Sequence, residues 1–412
     1  MSPVLRLATA LTTVTLCSAD VLIVDETGLG DFLDLQQAID NAADDDVLLV
    51  KSGVYSAPIL DDRSLTIVAD TGAAALVQGN TQVSNGTEDD TVLFSGLTFE
   101  GPAGDSAVSL AFCEGAIRLQ DCEVRGLDGD GCQFDAAGTG LEIEQCADVA
   151  LTGCSVSGGE GRSGCGSDGS GSAGRAAMSR SSVLTAYRTT LRGGDGGQVL
   201  FFTGGAGGPG LVLSDEGSCR LVQCQVVGGA SGNGEFCSNG APGLVVGLGT
   251  EAIELGSTFQ GGDGSTGAFG ITCQDGEAYT GNLIRFPGSP PTILPDIVVD
   301  RVVRAGDSAA IQFFGQPGDV VRLFFSDSTQ QSLRLSASGV SLLGGLPVTT
   351  LEPTGTVSGV GFFQFPLFAP SLPPGKEAAV VYLQAQFLGP QGIVLSNLAA
   401  VVRLDPDLSP LK

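Results

Sequence analysis

Three acidic residues share one setting in this chain. Glu160, Asp195 and Asp263 each follow a glycine pair, in Gly158-Gly159-Glu160-Gly161, Gly193-Gly194-Asp195-Gly196 and Gly261-Gly262-Asp263-Gly264, and Gly228-Gly229-Ala230 breaks the series. Hard cations take several carboxylate and carbonyl oxygens, and glycine backbone offers carbonyls freely, so calcium is the metal these residues would suit. Turn acids without metal are the competing reading. Arg162, Arg188 and Arg192 fall in the same region and are the candidate cationic residues of a ligand-binding face. Pairing of these arginines with nearby acids is the alternative.

Composition removes several other chemistries. The 412 residues contain no histidine, so a Ser–His or Cys–His nucleophile pair is impossible. Lysine occurs only at Lys51, Lys376 and Lys412. A net charge of −27 argues against nucleic acid, which needs clustered basic side chains. It also makes polyanionic glycans poor ligands unless a cation bridges them. Asp61-Asp62 and Asp89-Asp90 read as solvated turn acids.

The elements that must hold these residues are announced by a repeated phrase. It reads Phe94–Leu97–Phe99, Leu119–Cys122–Val124, Leu151–Cys154–Val156, Ala186–Thr189–Leu191, Leu221–Cys224–Val226 and Tyr279–Asn282–Ile284, with a weaker copy at Ser257–Phe259. Residues two apart on a strand face one way, so Leu97/Phe99 or Cys154/Val156 form inward pairs. A unit recurring every 25 to 35 residues cannot bury its apolar side alone, which implies a solenoid. Glycine supplies 63 residues, far above the usual ~7% share, which excludes helical repeats and leaves short strands with glycine corners. The expected core is therefore a parallel β-helix with Leu97, Cys122, Cys154, Thr189 and Cys224 in one file. The glycine tracts all follow the inward pair, so stacking carries them down one side, where a rigid scaffold positions loops for function.

Eleven cysteines less Cys17 leave an even set of ten, between Cys113 and Cys273, which implies disulfides in an exported chain. Equivalent cysteines one coil apart predict rungs Cys113–Cys146, Cys122–Cys154 and Cys132–Cys165. The spacing of stacked coils lies within the Cα separation of a disulfide. Inward cysteines also serve as buried apolar residues. The pairing of Cys219, Cys224, Cys237 and Cys273 stays open. Zinc is excluded by the lack of Cys-x-x-Cys and of histidine.

Residues 1–19 read as a secretory signal: Arg6, a mildly apolar run from Leu7 to Leu16, then Cys17-Ser18-Ala19. No other run is long enough to span a bilayer, so no transmembrane segment is expected in the mature chain. Asp34 is a plausible N-cap for a short helix that places Leu35, Ala38, Ile39 and Ala42 on one face and covers the open end of the solenoid. The order Gly30-Asp31-Phe32, Leu35-Gln36-Gln37-Ala38-Ile39-Asp40, Asp46-Val47-Leu48-Leu49-Val50-Lys51-Ser52-Gly53-Val54-Tyr55 and Leu65-Thr66-Ile67 resembles the opening of secreted right-handed parallel β-helix proteins of the pectate-lyase-like superfamily. That resemblance covers residues 21 to 70 and implies fold and export. The superfamily includes lyases, hydrolases, tailspikes and adhesins. The motif set of its polygalacturonase-like hydrolases is missing here.

Pro287-Gly288-Ser289-Pro290-Pro291 marks a linker. Beyond it, about seven regularly spaced apolar runs predict an antiparallel β-sandwich. The region resembles C-terminal modules of secreted bacterial repeat proteins. The expected layout is a signal peptide over 1–19, an all-β right-handed parallel β-helix over 20–286, a linker over 287–295 and a β-sandwich over 296–412. The expected role is non-catalytic binding of polysaccharide or another surface ligand through the loop face, at the cell surface or outside it. A structural or adhesive envelope protein and a calcium-dependent polysaccharide lyase are the alternatives.

Overall fold

The computed structural model describes residues 19–129, 137–162, 171–199, 202–268, 270–285, 295–333, 340–343, 349–369, 371–372, 376–390 and 392–406. All of the expected signal peptide but Ala19, the Cys132–Cys165 pair and almost all of the linker lie outside the described residues.

Three parallel sheets run the length of the solenoid. Each full coil gives one short strand to each, as in Thr91–Ser95 (sheet 1), Thr98–Glu100 (sheet 2) and Ser106–Ala111 (sheet 3). Sheet 1 stacks ten described strands in chain order, from Val21–Val24 to Leu283–Arg285; sheets 2 and 3 stack eight each. Register is strict, with Leu119 opposite Phe94 on one side and Leu151 on the other. This is a right-handed parallel β-helix, the hand that parallel crossovers take.

The repeated phrase is the corner between sheets 1 and 2. One residue turns the chain there with positive φ: Gly96 at 70°, Asp121 at 50°, Gly153 at 64°, Arg188 at 46° and Gln223 at 56°. The next residue points inward, and Leu97, Cys122, Cys154, Thr189 and Cys224 are all at most 3% exposed. They form one file, because Glu123 N–H donates to Leu97 O, Ser155 to Cys122, Thr190 to Cys154 and Gln225 to Thr189. A single left-handed residue costs a side-chain-bearing position about 1–2 kcal/mol, and stacked coils on both sides hold it. The Tyr279–Ile284 copy is out of phase: Tyr279–Thr280 belongs to sheet 3 and Leu283–Arg285 to sheet 1, so Asn282 precedes a sheet 1 strand instead of following one. Its apolar spacing matched, but its glycine turns a different corner.

The helix Leu35–Asn41 packs onto the first coils. Asp34 caps it by accepting from Gln36 and Gln37 N–H, and Leu35, Ala38 and Ile39 join the solenoid core.

The thiols depart from the expected ladder. Cys113, Cys122, Cys146, Cys154, Cys219 and Cys224 are buried and unbonded, whereas Cys237 and Cys273 are joined, with Cα atoms 5.5 Å apart. In-register side chains project in parallel, so their Cβ atoms repeat the rung spacing of about 4.8 Å. A disulfide wants Cβ atoms about 3.8 Å apart. Cys113–Cys146 and Cys122–Cys154 are therefore stacked thiols here, one coil apart.

The C-terminal region packs a sheet of three strands, Asp296–Val298, Ser308–Phe314 and Phe362–Phe368, against one of five. Ile311 and Phe313 from the first meet Leu323, Leu383, Phe387 and Val401 from the second. Pairing is antiparallel except where Val302–Arg304 runs parallel to Gly392–Leu404. The apolar stretch Ile297–Val303 is split between the two sheets. This sandwich lies along the outer face of sheet 1, where Leu93, Ala150, Tyr187 and Val222 meet Leu343, Tyr382, Leu398 and Ala400. Sheet 1 is thus buried on both faces, which is why its strands read as continuous apolar runs.

Candidate functional site

The glycine tracts are a second lattice built on the first. Each leaves the coil after sheet 2 and returns before sheet 3, so the outgoing and returning rows lie side by side. Hydrogen bonds zigzag between the rows from coil to coil. Gly159 N–H donates to Gly138 O, Gly174 to Gly159, Gly194 to Gly174, Gly208 to Gly194 and Gly229 to Gly208, over 2.8–3.0 Å. Along the outgoing row, bonds to the next coil recur every third residue: Gly193 to Val227, Gly196 to Ala230 and Val199 to Asn233. That period is that of polyproline II-type backbone, which has three residues per turn and directs its bonds to neighbouring chains. A Cβ at Gly194 would overlap the carbonyl oxygen of Gly159, and one at Gly208 that of Gly174. As at a collagen axis, only glycine lets the strands approach. The loops expected from sequence are an ordered glycine lamella.

Within this three-residue period, two positions face neighbouring strands and the third faces solvent. Glu160, Asp195, Ala230 and Asp263 occupy the third, as one column on successive coils. Asp128 belongs to the same column: Gly129 N–H donates to Glu160 O, and the Asp128 carboxylate accepts from Glu160 N–H at 2.7 Å. Sequence reading missed Asp128, because Gly126-Leu127-Asp128 lacks the second glycine of the pair; its 32-residue offset from Glu160 was the available signal. Asp195 likewise accepts from Ala230 N–H at 2.9 Å and pairs with Arg192 at 2.8 Å.

Where the lamella springs from sheet 2, a cleft of about 280 Å³ opens, lined by Glu100, Arg125, Asp128, Glu160, Arg192 and Asp195 with glycine backbone between them. Arg125 is paired with Glu123. The structure thus brings Glu160, Asp195 and Arg192 together and leaves the other candidates apart. Asp263 stands two coils beyond Asp195, roughly 10 Å along the stack. Arg162 is exposed further out on the lamella. Arg188 is at a sheet 1–sheet 2 corner and pairs with Asp296 of the sandwich. Among the described residues, no three acidic or thiol side chains converge as a metal-holding group, and Asp263 stands apart from Glu160 and Asp195. The reason is geometric: a column spreads its carboxylates one per rung. Lys51 is paired with Asp70 in the scaffold.

A second cleft, of about 320 Å³, lies between the corner residues Asp121, Gly153 and Arg188 and the sandwich segments at Ile297 and Leu398. Partial desolvation by the cleft walls pushes the Asp121 carboxyl above the usual range, partly offset by Arg301.

No family model and no curated protein matches this chain. Solved structures that align with it include the full-length tailspike protein 2 of Escherichia coli O157:H7 bacteriophage CAB120, at 8% identity over 90% of this chain and 60% of that one, with a TM-score of 0.20. Another is the receptor-binding protein of bacteriophage Det7, a podoviral tailspike in a myovirus, at 10% identity over 97% and 100%, TM-score 0.17. A third is the superoxide reductase of Ignicoccus hospitalis, at 15% identity over 27% and 80%, TM-score 0.15. Likeness this low bears no weight, and the fold rests on the strand register itself. No helix among the described residues is long and apolar enough to cross a membrane.

Proposed function

We propose that this is a secreted, surface-facing β-helix protein of pectate-lyase-like ancestry that binds polysaccharide without cleaving it, in the cleft between sheet 2 and the glycine lamella. The supporting observation is the cleft lining: Glu100, Asp128, Glu160 and Asp195 beside Arg125 and Arg192, on backbone bonded in two directions. Sugar hydroxyls donate to carboxylates and accept from guanidinium groups, and charge-assisted bonds of this kind are about twice as strong as neutral ones. A lattice that is already ordered spares the ligand the cost of fixing a loop. The excess of acid favours neutral or amine-bearing polymers over polyanions. Calcium held by Glu160, Asp195 and lamella carbonyls is a bridging route to anionic glycans within the same reading.

The test is a polysaccharide array with and without EDTA, using wild type, R192A and E160Q. Retention of neutral glycans by wild type, weakened about tenfold or more in either variant, is the expected result. An EDTA-sensitive subset would assign the calcium route. No retention of any glycan, with trimming of the Gly158–Gly264 tracts tolerated, would leave a structural or adhesive envelope role. An unsaturated sugar chromophore appearing with calcium would make the protein a lyase.

A further inference from the structure

At the corner between sheets 1 and 2 the turning residues stand in one column, a rung apart. Gly96 N–H donates to Gln120 O, Asp121 N–H to Thr152 O, Gly153 N–H to Tyr187 O and Arg188 N–H to Val222 O, all at 2.9 Å. The glycines of this column flank Asp121, and each leaves a notch where its neighbours carry side chains. The sandwich fills the first notch itself, because the Arg301 guanidinium occupies the place of a side chain on Gly96. The second stays open. Gly153 is exposed, and among the described residues only the Asp121 carboxylate comes near a Cβ built there, at 2.6 Å. This notch opens into the cleft of about 320 Å³, with Asp121 on one side and Arg188 on the other. Thr152 lies beside it, and Val298 and Val299 of the C-terminal region form an apolar wall.

We propose that the Gly153 notch binds a small zwitterion of the α-amino-acid class with an aliphatic side chain. The ligand ammonium meets Asp121, its carboxylate meets Arg188 and the Thr152 hydroxyl, and its side chain lies against Val298 and Val299. The Gly96 notch shows what suits Asp121, since the group seated there is a cation. Desolvation raises the Asp121 pKa, with Arg301 the chief opposing charge, so the carboxylate is short of counter-charge. An ammonium in the second notch supplies it. Arg188 gives one N–H group to Asp296, and the rest of its fork has no partner among the described residues. The Thr152 hydroxyl has none there either. Asp121 and Asp296 balance Arg188 and Arg301, so a ligand of single charge would leave one charge unmatched in a partly desolvated site; a zwitterion does not. The volume is near the ~300 Å³ lower end of small-ligand pockets, the size for one small molecule and not for a polymer. This site is separate from the lamella cleft and stands without the polysaccharide reading.

The experiment uses the full chain, by calorimetry and thermal melting, against L-leucine and L-valine. Two further probes keep the leucine skeleton: isopentylamine lacks the carboxylate and 4-methylpentanoate lacks the ammonium. Wild type should bind the amino acids, and each truncated probe at least about tenfold more weakly, because each forgoes a charge-assisted contact. D121N should weaken L-leucine by a similar factor while holding 4-methylpentanoate no more weakly than wild type does. Gly153→Asn fills the notch and should abolish binding. It should still fold, because Asp121, Arg188 and Gln223 turn equivalent corners with φ of 50°, 46° and 56°, and the new Cβ displaces only the free end of the Asp121 side chain. Equal L-leucine affinity in G153N and wild type overturns the notch as the site. Isopentylamine held as tightly as L-leucine overturns the zwitterion in favour of a simple cation seat. A wild type that binds neither amino acid at millimolar concentration overturns the proposal outright.

Discussion

Asp121 turns a corner in left-handed backbone, and its carboxyl, though exposed, lies in the second cleft between that corner and the sandwich. Partial desolvation by the cleft walls raises its pKa above the ordinary carboxylate value, the opposing influences of Arg301, Gln120 and Arg188 being weaker. A group that binds its proton more tightly when folded stabilises the fold while protonated. That contribution is fully present below the unfolded pKa near 3.8 and is lost as pH rises through the folded value. Asp121→Asn should therefore gain a small margin of thermal stability at neutral pH, and the gain should vanish toward pH 3. Melting curves of both proteins between pH 3 and 8 test this; a gain independent of pH would mean that the charge is not its source. The stacked thiols are shifted by a hydrogen bond instead. Cys146 donates to the Cys113 sulfur and draws its pKa down to about 7, while Cys146 itself is pushed well up.

The lamella works as an element only if every neighbour-facing position is bare. Gly194 is a clear case, because its added Cβ would overlap the Gly159 carbonyl oxygen, a backbone atom held by the Gly174 N–H. Gly194→Ala must spread two coils, and overpacking of this kind costs about 1–3 kcal/mol. Chemical denaturation should register that loss, and Arg192 and Asp195, which line the cleft on either side of it, should bind glycan more weakly. Ala230→Gly, at a solvent-facing position of the same row, is the control and should leave both measurements near wild type.

The solenoid and sandwich form one body through sheet 1. Arg118, 2% exposed, makes two bonds of 2.6 and 2.7 Å to Asp148 and a third of 2.9 Å to Thr329 of the C-terminal region. Gln120 accepts from Ala400 N–H at 2.6 Å and donates to Ala400 O at 3.3 Å. At the N-terminal end, Ala19, Val21 and Val47 bury against Ala378 and Val402. Removing one partner of a buried ion pair strands the other and costs about 3–5 kcal/mol. Arg118→Ala should lower stability by that amount. It should also split a single denaturation transition into two as the sandwich lifts from sheet 1. A second transition in wild type itself would mean that the two parts never acted as a unit.

Much of this was written locally. The spacing that places Leu97, Cys122, Cys154, Thr189 and Cys224 in one file depends on strand alternation and a one-residue corner, both short-range properties. The same holds for the Asp34 cap and the helix it starts. The side on which the glycine tracts emerge was legible for that reason too. Their conformation was not, because a glycine strand has no internal bonds to announce it and is specified only by the carbonyls of the coils above and below. Those neighbours also decided that the acids form a column instead of a cage, and that stacked thiols stay unbridged. The separation of Arg188 from Arg192 required the sandwich, since Asp296, 108 residues away, claims the one while the cleft keeps the other. Local sequence set the rise and the corners of each coil; contacts between distant segments decided which side chains face one another.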